Sequence, residues 1–442
     1  MERDCSTRSA PDLASARARR SQGARDGHHV TTANVPLLDN GRRKFADKMI
    51  AELRRAGLAD EAELDEEEFR LVAGDVWINL GNAFAERQRA SLLGRREVLR
   101  RYARALVGGP PELPDSAAEA RPNLLIRVRD LDWCATMEIH NAAARGGGGV
   151  AMTYQPLNEH LAVEVVYDGP STISVLAHEK LVEWGVSLEE AVRTGRANLR
   201  GHTQDIFLAL APGVYRSPWQ DSYGAARLLL TELISRLALR GDPVALLPHR
   251  DHLLLTGSED EVGLGRIAAI AEPLLHEPRQ IIGRAFVLRD GSWLPFVPPD
   301  DHPHQEVFRR LVQVTEALAY GDQQGALDDL HYAESDEVFV ASVMLTPQRH
   351  SHVDATSCTW TEGVRSLLPR TDRIAFISLG VTEAENRMWW VPWEEASAVM
   401  SDAMQPQGLR PERWLVETFP NADHLTALEQ AAVPVDDSAT YR

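Results

Sequence analysis

Two histidine-rich stretches are the sharpest chemical lures in the chain. His350-Ser351-His352-Val353-Asp354 follows the apolar run VFVASVML. Two imidazoles and a carboxylate after a strand suit a metal pair that activates one water. The next residue here is Ala355, and His424 is the one histidine further along, so the segment reads as a polar loop. His302-Pro303-His304, with Asp300, Asp301 and Glu306, offers ligand types for zinc or manganese. Its proline and linker-like setting instead mark a helix entrance. No metal is assigned to either stretch, and no cofactor is expected.

The remaining candidates are pairs and clusters. His249 and Asp251 are two apart at the start of a strand, where both project to one side and a carboxylate can orient a general base. The plainer account has Asp251 closing a turn on backbone amides. Asp221, Tyr223 and Arg227 fit a capped turn, with the arginine pairing back onto the acid. Trp389 and Trp390, close to Pro392 and Trp393, form an aromatic cluster in which 389 and 393 share one strand face and 390 takes the other. Such a cluster is either core or an anchor for a partner. These seven residues, Asp221, Tyr223, Arg227, His249, Asp251, Trp389 and Trp390, are the candidate binding residues. No catalytic residue is assigned, because the chain has neither a Gly-x-Ser-x-Gly elbow nor a Gly-x-x-x-x-Gly-Lys loop. Gly146–Gly149 reads as a hairpin loop.

The elements that would carry these residues read as α+β: several small antiparallel sheets with flanking helices. Phe45, Met49, Ile50 and Leu53 have helical spacing, with a stop near Gly57. EEFRLVAGDVWINLGN reads as one or two strands, and Asn82 as the cap of a long helix. Strands are expected at Leu124–Val128 and Leu161–Tyr167, and Ser187 with Glu190 is a capping box. Asp290-Gly291 between two apolar runs predicts a tight hairpin. Val307, Leu311, Val314 and Leu318 open a further helix. The resulting division is a disordered tail at 1–40, α+β regions at 41–200, 201–299 and 303–432, and a tail at 433–442. Leu246-Leu247-Pro248 with Asp251 recurs as Leu367-Leu368-Pro369 with Asp372, all at an offset of 121, which suggests one α+β module used twice.

The run YDGPSTISVLAHEKLVEWGVSLEEAVRTGRANL, then DSYGAARLLL, LLPHRDHLLLTG and the Asp-Gly hairpin, resembles the YtpQ-like bacterial family. The resemblance covers about residues 41–297 and rests on Trp184-Gly185, Asn198-Leu199, Tyr223, Ala225, Arg227, Pro248-His249 and Asp251. It implies a soluble, cytosolic α+β protein and supplies no catalytic residue. Residues 301–442 depart from the shorter members and read as an added module.

Composition narrows the partners. The 442 residues carry 47 basic and 65 acidic side chains, a net charge of −18. That surplus repels phosphate and anionic lipid, so neither nucleic acid nor membrane is expected. The stripe Arg95, Arg96, Arg100, Arg101 and Arg104 reads as a helix's solvent face. Three scattered cysteines, Cys5, Cys134 and Cys358, fit a reducing cytoplasm. The reading is a cytoplasmic, non-enzymatic binding or adaptor protein with a protein partner. The competing class is a hydrolase or metal-dependent enzyme using a His/Asp site.

Overall fold

The computed structural model describes residues 40–57, 62–66, 69–73, 76–89, 91, 94–107, 113–144, 151–169, 173–219, 221–348, 353–380, 382 and 385–433. The terminal tails, apart from Asn40 and Val433, lie outside this set, as do Gly146–Gly149, His350 and His352. The chain divides into two compact units, Met1–Val107 and Gly108–Arg442.

The first unit contains α1 (Asn40–Ala56), β1 (Glu63–Asp65), β2 (Arg70–Ala73), β3 (Val76–Asn79), α2 (Gly81–Arg89) and α3 (Gly94–Val107). Its three strands are antiparallel in the order β1-β2-β3. Helical spacing puts Phe45, Met49 and Leu53 on one face of α1, where they are buried with Phe69, Leu71 and Leu99. The rings of Phe45 and Phe69 meet Phe84 edge-on, at 5.3 and 5.6 Å. Asn82 lies inside α2 rather than capping it, and the expected long helix is two helices.

The second unit opens with α4 (Ala117–Ala120), β4 (Leu124–Asp130), α5 (Leu131–Ala144), β5 (Tyr154–Pro156), β6 (Leu161–Asp168), β7 (Ile173–Val175), α6 (His178–Glu183) and α7 (Leu188–Gly201). Here β6 pairs antiparallel with β4, β5 and β7. Ser187 caps α7 as its sequence predicts, its Oγ accepting from the Glu190 N–H at 3.1 Å.

A six-stranded antiparallel sheet follows. It comprises β8 (Leu208–Ala211), β9 (Val214–Arg216), β10 (Pro243–His249), β11 (His252–Gly257), β12 (Gln280–Arg289) and β13 (Ser292–Phe296), in the order β13-β12-β10-β11-β9-β8. Two helices, α8 (Thr231–Ile234) and α9 (Glu261–Leu274), accompany it. Asp290 and Gly291 turn the β12–β13 hairpin with φ of +50° and +77°, the geometry an Asp-Gly turn supplies. One hydrophobic core runs from Ala120 through Leu199 to Trp293, so packing continues across position 200, where the sequence suggests a boundary.

The 30-residue helix α10 (Gln305–Glu334) then acts as a spine. Its Phe308 and Leu311 pack into the core of β10–β12, while its Leu327 packs with Val340 and Leu367. The Pro298–Asp301 stretch is therefore the entrance to a helix shared by the two regions it was expected to separate. Gly283 permits this approach: a Cβ there would lie 2.3 Å from the Leu311 carbonyl oxygen. Its N–H donates to Thr315 Oγ1 at 2.7 Å.

Beyond α10 lie β14 (Phe339–Val340), β15 (Met344–Thr346), β16 (Ala355–Thr361), β17 (Ser366–Pro369), β18 (Arg373–Ser378), β19 (Arg387–Pro392), α11 (Trp393–Val399), β20 (Gln405–Pro406), β21 (Arg413–Val416) and α12 (Ala422–Gln430). They form two four-stranded sheets, β14-β17-β21-β20 and β15-β16-β18-β19. Each contains one parallel pair, β14–β17 and β16–β18, so these sheets are mixed rather than antiparallel. The suggested repeat is not carried by this topology. β10 and β11 are neighbours in one sheet, whereas β17 and β18 belong to different sheets. Among the described residues, no helix is long and apolar enough to cross a membrane.

Candidate functional site

The five polar candidates form a hydrogen-bonded structural network, partly through side chains and partly through backbone amides. Arg227 is fully buried. Its guanidinium donates to both carboxylate oxygens of Asp221, at 3.0 and 2.8 Å, and to Thr203 Oγ1 at 3.0 Å. It also lies over the Trp219 ring, 4.2 Å from its centroid. Asp221 Oδ1 accepts from the Tyr223 N–H at 3.0 Å, the capped turn that the spacing predicts. Burial pushes the Tyr223 hydroxyl up, and the nearby Asp168 adds to the shift. Gly224 rests on the β10–β11 turn so closely that a Cβ would sit 2.6 Å from the Asp251 carbonyl oxygen.

Both ring nitrogens of His249 are occupied. Nδ1 accepts from the Asp251 N–H at 3.1 Å, and Nε2 lies 3.0 Å from the Pro278 carbonyl. This pattern fixes the tautomer with the proton on Nε2. Burial pulls the ring down to about 4. Asp251 Oδ1 accepts from the Ser222 N–H at 2.7 Å, so this pair locks a loop onto a hairpin. Asp251→Ala leaves that amide without its acceptor and is expected to cost about 1–2 kcal/mol. A lower urea midpoint with an unchanged slope checks it.

The tryptophans are half-buried at 389 and 390. Trp389 stacks on Phe376 at 6.2 Å, and Arg373 covers Trp390 at 5.2 Å. Trp393 does not continue the strand. It opens α11, is buried, and meets Trp414 at 4.9 Å. Met388, just before the two tryptophans on β19, is 58% exposed.

His302 and His304 lie at the entrance to α10, where His302 Nδ1 accepts from the His304 N–H at 3.2 Å. Among the described residues, no group of three or more His, Cys, Asp or Glu side chains is placed to hold a metal ion.

A polar cleft lies elsewhere, along α10. One cavity of about 490 Å³ is lined by Asp130, Asp132, His160, Arg284, Glu316 and Arg410, among others. A second, of about 510 Å³, shares Arg284, Val312 and Glu316 with it, making the two continuous. Asp130 ends β4 and Asp132 stands in the first turn of α5, where acids favour the helix dipole. The Asp132 N–H donates to Asp130 Oδ1 at 2.9 Å. Arg410 Nε lies 2.7 Å from Asp132 Oδ1, and Arg284 reaches Glu316 at 3.1 Å. The loop carrying Arg410 is pinned by α10. Tyr320 Oη donates to the Glu412 carbonyl at 3.0 Å, and Gln323 Nε2 to the Pro411 carbonyl at 2.7 Å.

Burial raises both carboxyls, and Arg410 opposes the shift at Asp132 through its charge and hydrogen bond. Asp130 is 6% exposed and makes no ion pair among the described residues. Burial pushes its carboxyl up to about 8, with Asp132 adding to the shift and Arg410 and Arg284 opposing it. Burial and then Arg284 pull His160 down to about 4, so the imidazole facing the cleft is neutral near pH 7.

None of these lining residues was among the seven sequence candidates. The one local signal was RVRDLDW, an acid at the end of a strand and another opening a helix. Family models, curated proteins and solved structures give no match to this chain, so no residue role is carried over from a relative.

Proposed function

We propose that the protein is a non-enzymatic binding or adaptor protein, of the YtpQ-like kind that residues 41–297 resemble, and that the cleft along α10 receives a basic side chain of a protein partner. The observation behind this reading is Asp130: a buried carboxyl that opens on the cleft without a cation, while both arginines there face other acids. A Lys or Arg inserted beside it supplies the missing charge. The net charge of −18 favours encounter with basic surfaces and adds little specificity.

Titration calorimetry with hexalysine tests the reading. Wild type is expected to bind, and Asp130→Asn to bind about tenfold more weakly. The substitution removes at most one charge from so acidic a chain and barely alters non-specific attraction, so equal binding by the variant overturns the proposal. The competing reading, a hydrolase, draws support from the same acid pair, since two adjacent carboxyls, both raised by burial, can divide acid and base roles. An enzyme of that type loses turnover in Asp130→Asn while keeping its ligand.

A further inference from the structure

Seven basic residues of the first unit line one groove. Helices α1 and α3 together carry eleven basic residues against three acidic ones, in a chain whose net charge is −18. Between them lies a hollow of about 490 Å³ lined by Lys48, Arg55, Arg87, Arg95 and Arg96 around Glu52. It continues, through Glu52 and Arg55, into another of about 490 Å³ that adds Arg100 and Arg104. The acids in it are already neutralised: Glu52 pairs with Arg55 at 2.6 Å and Glu97 with Arg104 at 2.7 Å. Lys48, Arg96 and Arg100 are exposed and make no ion pair among the described residues.

A solvent face spreads like charges apart, whereas here three helices gather them around one hollow, at a cost in repulsion that an anion relieves. We infer that this groove binds the phosphate backbone of duplex nucleic acid without reading its sequence. Two features favour a duplex backbone over single-stranded bases. The rings of Phe45, Phe69 and Phe84 point into the core, and among the described residues no aromatic side chain lines the groove to stack on a base. The 14 residues of α3 span about 21 Å, a length of duplex that carries roughly a dozen phosphate charges. The expectation of no nucleic-acid partner rested on net charge, and net charge does not describe a local field.

Fluorescence anisotropy of the full chain with a labelled DNA duplex of about 20 base pairs, across about 50–200 mM salt, tests this. About four neutralised phosphates give a slope of log affinity on log salt near −4. Arg96→Gln with Arg100→Gln is expected to bring it to about −2 and to weaken binding at low salt at least about tenfold. Both side chains are exposed and glutamine sustains the helix, which circular dichroism verifies. A second DNA sequence and an RNA duplex of equal length are expected to bind comparably, which assigns the contact to phosphate. No binding at low salt, an unchanged slope in the double variant, or displacement by polyglutamate at equal charge overturns the inference. The last result would assign the groove to an acidic peptide.

Discussion

Replacing Arg413 by methionine is expected to lower the unfolding free energy by about 4 kcal/mol, a loss set by the acceptors left behind. Arg413 is fully buried at the start of β21. It donates to Gln323 Oε1 at 2.6 Å and to the carbonyls of Ala341, Leu367 and Tyr320 at 2.7, 3.2 and 3.0 Å. All four acceptors are neutral, so the site is a hydrogen-bonding clamp between α10 and the strands beyond it. Burial lowers the guanidinium to about 10, which leaves it charged near pH 7. Methionine keeps much of the side-chain volume and satisfies none of these groups. Arg413→Lys retains charge without the planar fork and is expected to recover only part of the loss. Urea unfolding of the three proteins checks the order, and an equal midpoint for Arg413→Met and wild type contradicts the clamp. Because Tyr320 and Gln323 also pin the loop carrying Arg410, Arg413→Met is expected to weaken hexalysine binding as well.

How much of this was legible depended on sequence distance. The Asp290-Gly291 hairpin, the Ser187 cap and the helix face of Phe45, Met49 and Leu53 all follow from residues a few positions apart in sequence. So does the Asp221–Arg227 pairing, formed across six positions. The cleft is different. Asp132 and Arg410 meet only because β4 runs into α5, Gly283 lets α10 lie against β12, and α10 then holds the 408–412 loop. No short pattern encodes that sequence of contacts. Trp393 shows the reverse failure: a local pattern of aromatics around Pro392 reads as strand, but the proline sits at the cap and the chain turns into helix. The repeated Leu-Leu-Pro with Asp has a local meaning that did survive. Asp251 accepts from the Ser222 N–H and Asp372 from the Thr356 N–H, each at 2.7 Å, so both acids tie a turn to a neighbouring strand or loop.

One contribution to stability, that of the buried Asp130 carboxyl beside Asp132, should fall with rising pH. A folded-state value of about 8 for Asp130, against about 3.9 for a free side chain, means the folded chain holds one more proton than the unfolded chain across that interval. The contribution is fully present below the unfolded value and is lost as pH rises through the folded one, with a slope of at most about 1.4 kcal/mol per pH unit. The groups facing Asp130 are Asp132 on α5, which adds to the shift, and Arg410 on its loop and Arg284 on β12, which oppose it. Asp130→Asn keeps the acceptor for the Asp132 N–H and does not titrate. It is expected to match wild type near about pH 3 and to exceed it by a margin that grows with pH up to about 9, as measured by urea unfolding at both values. A basic ligand reverses the sense of the titration. An ammonium beside Asp130 favours the ionised carboxylate, so binding expels the proton, and affinity for hexalysine should rise by up to about tenfold per pH unit below about 8. Calorimetry in buffers of different ionisation enthalpy would register that proton directly. A wild-type affinity as flat with pH as that of Asp130→Asn would mean that the ligand never reaches the buried acid.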